Sequence, residues 1–172
     1  ILRLKKFPSH GTNVPMLKKY IKTLTAQGFR PDIIFIDYID CLSPSQHHED
    51  ANIGEGALMR EIETMLYELD VAGWVGLQGN RSAIKSAIVE SDQMSGSIKK
   101  GMIGHFIMSA AKSLEQRENG TANIAILKSR FGKDGFIYED VIFNNSNLNI
   151  DFGNKGGLQR SEFVKHKEVS NQ

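Results

Sequence analysis

The spacing of apolar residues changes period several times along the chain, and each change marks an element. Val14, Leu17, Ile21 and Leu24 recur at three- and four-residue intervals, the period of one helix face. Thr12 or Asn13 can cap that helix, Pro15 is tolerated in its first turn, and Gly28 is a natural stop. Upstream, LRLKKF over residues 2–7 alternates weakly, as a short strand does. Downstream, the apolar run Ile33 to Ile36 leads straight into Asp37 and predicts a short buried strand over 32–37. Residues 43–56 are polar and contain Gly54 and Gly56, which reads as a loop. From Ala57 to Leu69, the residues Leu58, Ile62, Met65, Leu66 and Leu69 share a helical face, with Gly73 closing the helix. GWVGLQ (73–78) then reads as a strand. Residues 79–100 show little apolar periodicity and predict a long polar loop with room for a short helix. MIGHFIMSA (102–110), ANIAILKSR (122–130) and FIYEDVIF (136–143) read as strands. The Asn-Gly of ENGT (118–121) and the segment FGKDG (131–135) supply turns between them.

Helices alternate with buried strands in the first half, and strands joined by short turns follow. This order predicts an α/β fold: a mostly parallel sheet with helices on both faces and an antiparallel C-terminal edge. From Asn144 onward the chain turns to Asn, Gly, Ser and Lys, so residues 146–172 are expected as a polar, mobile tail. No internal repeat is present. A chain of 172 residues, 40% of them hydrophobic, can fill the core of one domain over residues 1–145. The net charge of +1 names no partner, so any nucleic-acid contact must come from a local patch. The single cysteine, Cys41, rules out an internal disulfide and suits a reducing compartment, so a cytoplasmic location is expected. No apolar run approaches the ~20 residues of a membrane span, and no signal peptide is visible. The chain opens on Ile1 rather than methionine, which reads as a piece of something longer.

Four patterns carry candidate chemistry. Asp37 ends an apolar strand, and ligands of open α/β sheets bind outside the carboxyl ends of strands. A carboxylate there can hold a hydrated magnesium ion, the Walker B arrangement of P-loop NTPases, although many strands end in Asp for capping or turn reasons. Gln78 ends the next strand, where a neutral amide can sense a γ-phosphate or orient water, or simply bond a loop. Lys128 and Arg130 are two apart, so on a strand they share a face. Two neighbouring cations repel unless something anionic faces them; a solvated strand face is the other reading, and spacing alone does not separate the two. The loop NRSAIKSAIVESDQMSGSIKK offers Arg81, Lys85, Lys99 and Lys100, with the small residues Ser95, Gly96 and Ser97 between. Cations plus free backbone N–H groups are the usual phosphate contacts; a flexible polar loop is the alternative. The loop holds no aromatic residue, so base stacking is not indicated. His47, His48, Glu49 and Asp50 are adjacent on a loop, and adjacent residues rarely share one ion, so no metal site is assigned to them.

Taken in order, these segments resemble one family. GFRPDIIFIDYIDCL is similar to the Walker B segment of DnaB-type replicative helicases, phage branch, whose motor core is RecA-like. REIETMLYELDVAGWVGLQGNR resembles the family helix that leads into a strand ending in Gln-x-Asn-Arg. SDQMSGSIKKGMIGHFIMS resembles its DNA-loop segment, and ILKSRFGKDG its Lys-x-Arg finger with a glycine turn. The resemblance covers roughly residues 1–145 and implies the C-terminal part of an ATP-dependent motor domain. It implies that Asp37 holds Mg2+, mostly through water, and that Gln78 couples the γ-phosphate of ATP to the DNA loop. Lys128 and Arg130 would reach into the nucleotide site of the adjacent subunit. Arg81, Ser95, Gly96, Ser97, Lys99 and Lys100 would follow single-stranded DNA through a hexameric ring moving 5′ to 3′. Primase and a helicase loader are the further partners implied.

The chain also departs from the family pattern. No G-x-x-x-x-G-K-[ST] occurs in it. In the family that loop and the catalytic glutamate precede Walker B, so both are expected upstream of Ile1, and this chain alone is expected not to hydrolyse ATP. Gly104-His105 stands where an acid is common, and Phe131 where Asn is common. Another RecA-like ATPase and a non-catalytic DNA- or partner-binding module remain the competing readings.

Overall fold

The computed structural model describes residues 1–9, 11–79, 87–89, 103–154 and 156–170. The chain divides into two units, one built mainly from residues 1–78 and the other mainly from 104–172.

The first unit contains α1 (Val14–Ala26), β1 (Ile33–Ile36), a 3-10 turn (Ile39–Cys41), α2 (Ala51–Leu69) and β2 (Ala72–Val75). The Asn13 side chain caps α1 by accepting from the Met16 N–H at 3.2 Å, with Pro15 in the first turn. Val14 and Ile21 of α1 meet Ile39 and the α2 residues Leu58, Met59, Ile62 and Met65 in one buried cluster. Each such side chain contributes about 1.5–3 kcal/mol when fully buried. Helix α2 begins at Ala51, six residues before the expected start. Gly54 and Gly56, read from sequence as loop residues, are buried within its first turns. Glycine costs a helix about 1 kcal/mol against alanine, and packing overrides that here.

β1 and β2 pair in parallel, with Ile33 opposite Ala72 and Phe35 opposite Trp74. Ile34, Ile36 and Val75 pack onto the helical cluster. Gly73 permits this approach: a Cβ there would lie 2.2 Å from Leu66 Cδ1. The opposite face is bare, with Ile33 49%, Phe35 71% and Trp74 46% exposed. The expected fully buried strand is therefore half-covered, because the helical cluster packs on one face alone. Residues 1–8, read as containing a strand, take no regular structure; a strand needs a partner, and no described strand pairs with this segment.

The second unit is an antiparallel sheet in the order β3-β4-β5-β6. Its elements are β3 (Phe106–Ala111), α3 (Leu114–Asn119), β4 (Thr121–Ser129), β5 (Phe136–Asn144), β6 (Asn149–Asp151), β7 (Leu158–Gln159) and α4 (Arg160–Ser170). β7 pairs with the start of β5. The Asn-Gly step expected as a hairpin turn closes α3 instead. Gly120 sits at φ 67°, the left-handed conformation that both devices require, and Ser113 with Gln116 forms the capping box at the other end.

Two expectations need correction. The fold is mixed α/β, but among the described strands parallel pairing is confined to β1 and β2, and the antiparallel part is the larger. A mostly parallel sheet is thus not what these strands form: short connections join β3 through β6, and short connections favour antiparallel neighbours. The segment after residue 145 also carries structure that its polar composition concealed. β6 and β7 both pair with β5, and Phe163 of α4, 5% exposed, packs with Ala125 and Ile137.

Candidate functional site

Asp37 follows β1 directly and is exposed. The pairing of the two strands continues past their formal ends: the Gly76 N–H donates to the Ile36 carbonyl at 2.9 Å, and the Ile39 N–H to the Gly76 carbonyl at 3.2 Å. The Asp37–Tyr38 peptide between them is cis. Gly76 lies against the acid. A Cβ added to it would stand 3.7 Å from Asp37 Oδ1 and 3.3 Å from Tyr38 Cβ. Gln78, two residues on, is exposed at the same end of the pair. The Tyr38 side chain is near enough to those of Cys41 and Gln78 for both to act on its phenol. The Tyr38 phenol is held above its ordinary range, first by the Cys41 hydrogen bond, then by the Cys41 thiolate charge, burial and the charge of Asp40. The Gln78 amide pulls the other way.

The second cluster lies in the other unit, at the end of β4. The β3–β4 register shifts between Ile107 and Met108, so Leu127 has no opposite residue and Lys128 follows a bulge. A bulge re-aims the side chains beyond it. The turn is tied at several points. The Arg130 N–H donates to the His105 carbonyl at 2.9 Å and the Gly135 N–H to the Ile126 carbonyl at 2.8 Å. The Phe131 N–H donates to Ser129 Oγ at 3.2 Å, and the Ser129 N–H to Asp134 Oδ2 at 3.3 Å. The Phe131 ring is 80% exposed and meets the His105 ring edge-to-face at 6.4 Å. The His105 and Phe131 rings thus meet beside Arg130, whose backbone N–H bonds the His105 carbonyl.

No family model and no curated protein matches the chain. Among solved structures, it is similar to a DnaB-like replicative helicase described together with its interactions with primase. The TM-score is 0.69 at 16% identity, over 81% of this chain and 36% of that one. The chain has a DnaB-like helicase fold. It spans just over a third of the solved helicase's length, at 36%.

On this DnaB-like fold, the expected site residues fall into three groups. Asp37 and Gln78 are brought to one strand end. Lys128 and Arg130 stand together at another, and both make further contacts of their own. Arg81, Ser95, Gly96, Ser97, Lys99 and Lys100 lie outside the described residues. Among the described residues, no group of three or more His, Cys, Asp or Glu is placed to hold a metal. A hydrated magnesium ion does not need such a group; one carboxylate plus substrate phosphates can suffice, and Asp37 is an exposed carboxylate. No described helix is long and apolar enough to cross a membrane.

Sequence reasoning missed two features. The Tyr38–Cys41–Gln78 contact depends on the turn after β1 and left no periodic trace. Asn123 did leave one: it is the polar residue of the run ANIAIL, and it is buried.

Proposed function

We propose that this chain is the C-terminal part of a RecA-like motor domain in an ATP-dependent replicative DNA helicase. The observation that carries the reading is the DnaB-like fold, with Asp37 and Gln78 at the carboxyl end of its parallel strand pair. On this reading β1 and β2 belong to a parallel core that residues outside this chain complete. The Asp37 carboxylate would hold Mg2+, and the ion would supply charge neutralisation at the phosphates of ATP. The Gln78 amide senses the terminal phosphate without adding charge, and Tyr38 orients it. Lys128 and Arg130 reach the nucleotide of the adjacent subunit. The residues described here do not themselves cradle the nucleotide phosphates. The proposed assembly is a hexameric ring that moves 5′ to 3′ on single-stranded DNA. The solved helicase's interactions with primase make a primase a proposed partner as well, and a helicase loader is a further one.

The test is Arg130→Ala in the full-length protein. Arginine fingers contribute about 10³–10⁵ in rate. DNA-stimulated ATP hydrolysis should fall by at least about a thousandfold while nucleotide binding persists, because the target lies in the neighbour. Undiminished turnover would remove the finger assignment.

A further inference from the structure

Seven of the chain's 21 Lys and Arg fall in residues 1–30, and none of its 20 Asp and Glu does. The net charge of +1 hides this imbalance. Three of the seven, Lys18, Lys19 and Lys22, share one face of α1 with Pro15, Thr23 and Ala26. Residues three and four apart on a helix are neighbours, and like charges there destabilise it. Glu68 offsets one of them through its ion pair with Lys18. Lys19 and Lys22 are exposed, and no carboxylate among the described residues forms an ion pair with either.

The segment before α1 adds to this charge. The Phe7 ring meets Tyr20 of α1 edge-to-face at 5.7 Å, and the Arg3 guanidinium lies over the Phe29 ring at 5.4 Å. Lys5 Nζ stands 5.8 Å from the centre of the Phe7 ring and 5.9 Å from that of Tyr20. Contacts four residues apart in the segment thus fall nine apart on α1 and the turn after it, a length of about 13 Å in either conformation. Residues 3–7 therefore run extended and antiparallel to the helix. They bring Arg3, Lys5 and Lys6, all exposed, alongside α1.

A local concentration of cations without matching acids attracts a polyanion. Lysine ammonium groups are point charges rather than planar forks, which suits backbone phosphates and not base edges. The rings of Phe7, Tyr20 and Phe29 are taken up by one another or by Arg3 and Lys5, so they offer bases no platform. A bilayer surface would require an apolar helix face as well, and that of α1 is packed against α2 through Val14 and Ile21.

We propose that the lysine face of α1, with residues 3–7 beside it, is a docking surface for the phosphate backbone of a nucleic acid. It uses none of residues 79–102, and it does not depend on the motor reading.

The test follows binding of this chain to a labelled mixed-sequence single strand, to the same sequence as a duplex, to polyglutamate and to vesicles of anionic lipid. Lys19→Gln combined with Lys22→Gln removes two charges and keeps helix propensity. The plot of log affinity against log salt should flatten by about 1.4 for the single strand and about 1.8 for the duplex, the counterions of two phosphates. Lys5→Gln combined with Lys6→Gln should flatten it likewise. Arg117→Gln combined with Lys165→Gln removes as much charge from exposed positions of the second unit and should leave the slope unchanged. An unchanged slope in the α1 variant, or equal flattening in the second-unit variant, would overturn the proposal. An unchanged slope in the Lys5 and Lys6 variant would remove residues 3–7 from the surface. A wild-type chain that binds neither nucleic acid, or binds polyglutamate or the vesicles as tightly, would overturn the whole. The motor reading fails separately, through turnover that Arg130→Ala leaves undiminished.

Discussion

Tyr38 shows how a single contact can be tested by titration. Its phenol is held above the ordinary value of about 10, with the Cys41 hydrogen bond as the leading cause. A raised folded pKa means that the fold favours the protonated phenol. That contribution is complete below the unfolded pKa and is lost as pH rises through the folded value. Cys41→Ala should therefore bring Tyr38 ionisation back toward that of an ordinary tyrosine. The check is the tyrosinate absorbance of a chain whose other three tyrosines, Tyr20, Tyr67 and Tyr138, are changed to Phe. An unmoved midpoint would dismiss the Cys41 contact. Single residues were also where the sequence was most informative about candidate chemistry. Asp37 and Gln78 each end an apolar run, and strand geometry alone singled them out; the structure puts both at one end of the β1–β2 pair. The approach of the Tyr38 side chain to Gln78 depends on how the chain turns after β1, which residue type does not encode.

At the scale of elements, the apolar pattern identified α1, β1, β2, β4 and β5, α1 by its helical period and the strands by short apolar runs bounded by polar or turn residues. It failed where a local signal has two uses. Asn119-Gly120 provides a left-handed residue, and a helix cap needs one as much as a hairpin does. Gly54 and Gly56 look like loop residues until the helix they join buries them. α4 is the strongest case. Its polar sequence concealed one anchor, Phe163, against Ala125 and Ile137. Phe163→Ala should cost about 3–5 kcal/mol, the usual range for a buried Phe, read from denaturant unfolding followed by a probe in the second unit. A loss within about 0.5 kcal/mol, typical of surface positions, would return α4 to the status of a loose tail.

For the molecule as a whole, the two units use different architectures, a parallel pair under two helices and an antiparallel sheet. The sequence made the alternation of the first half legible and led to an expectation of one mostly parallel sheet. It could not show which strands pair, because parallel and antiparallel partners of similar length share the same apolar pattern. The bare side of β1 and β2 has a practical consequence. Trp74 is the chain's one tryptophan, and it lies on that side between water and neighbouring apolar groups. Any surface that settles there must displace solvent from the indole. The native protein thus carries its own optical reporter: a blue shift in indole emission should accompany coverage of this face, and a fixed emission maximum would mean that it stays wet.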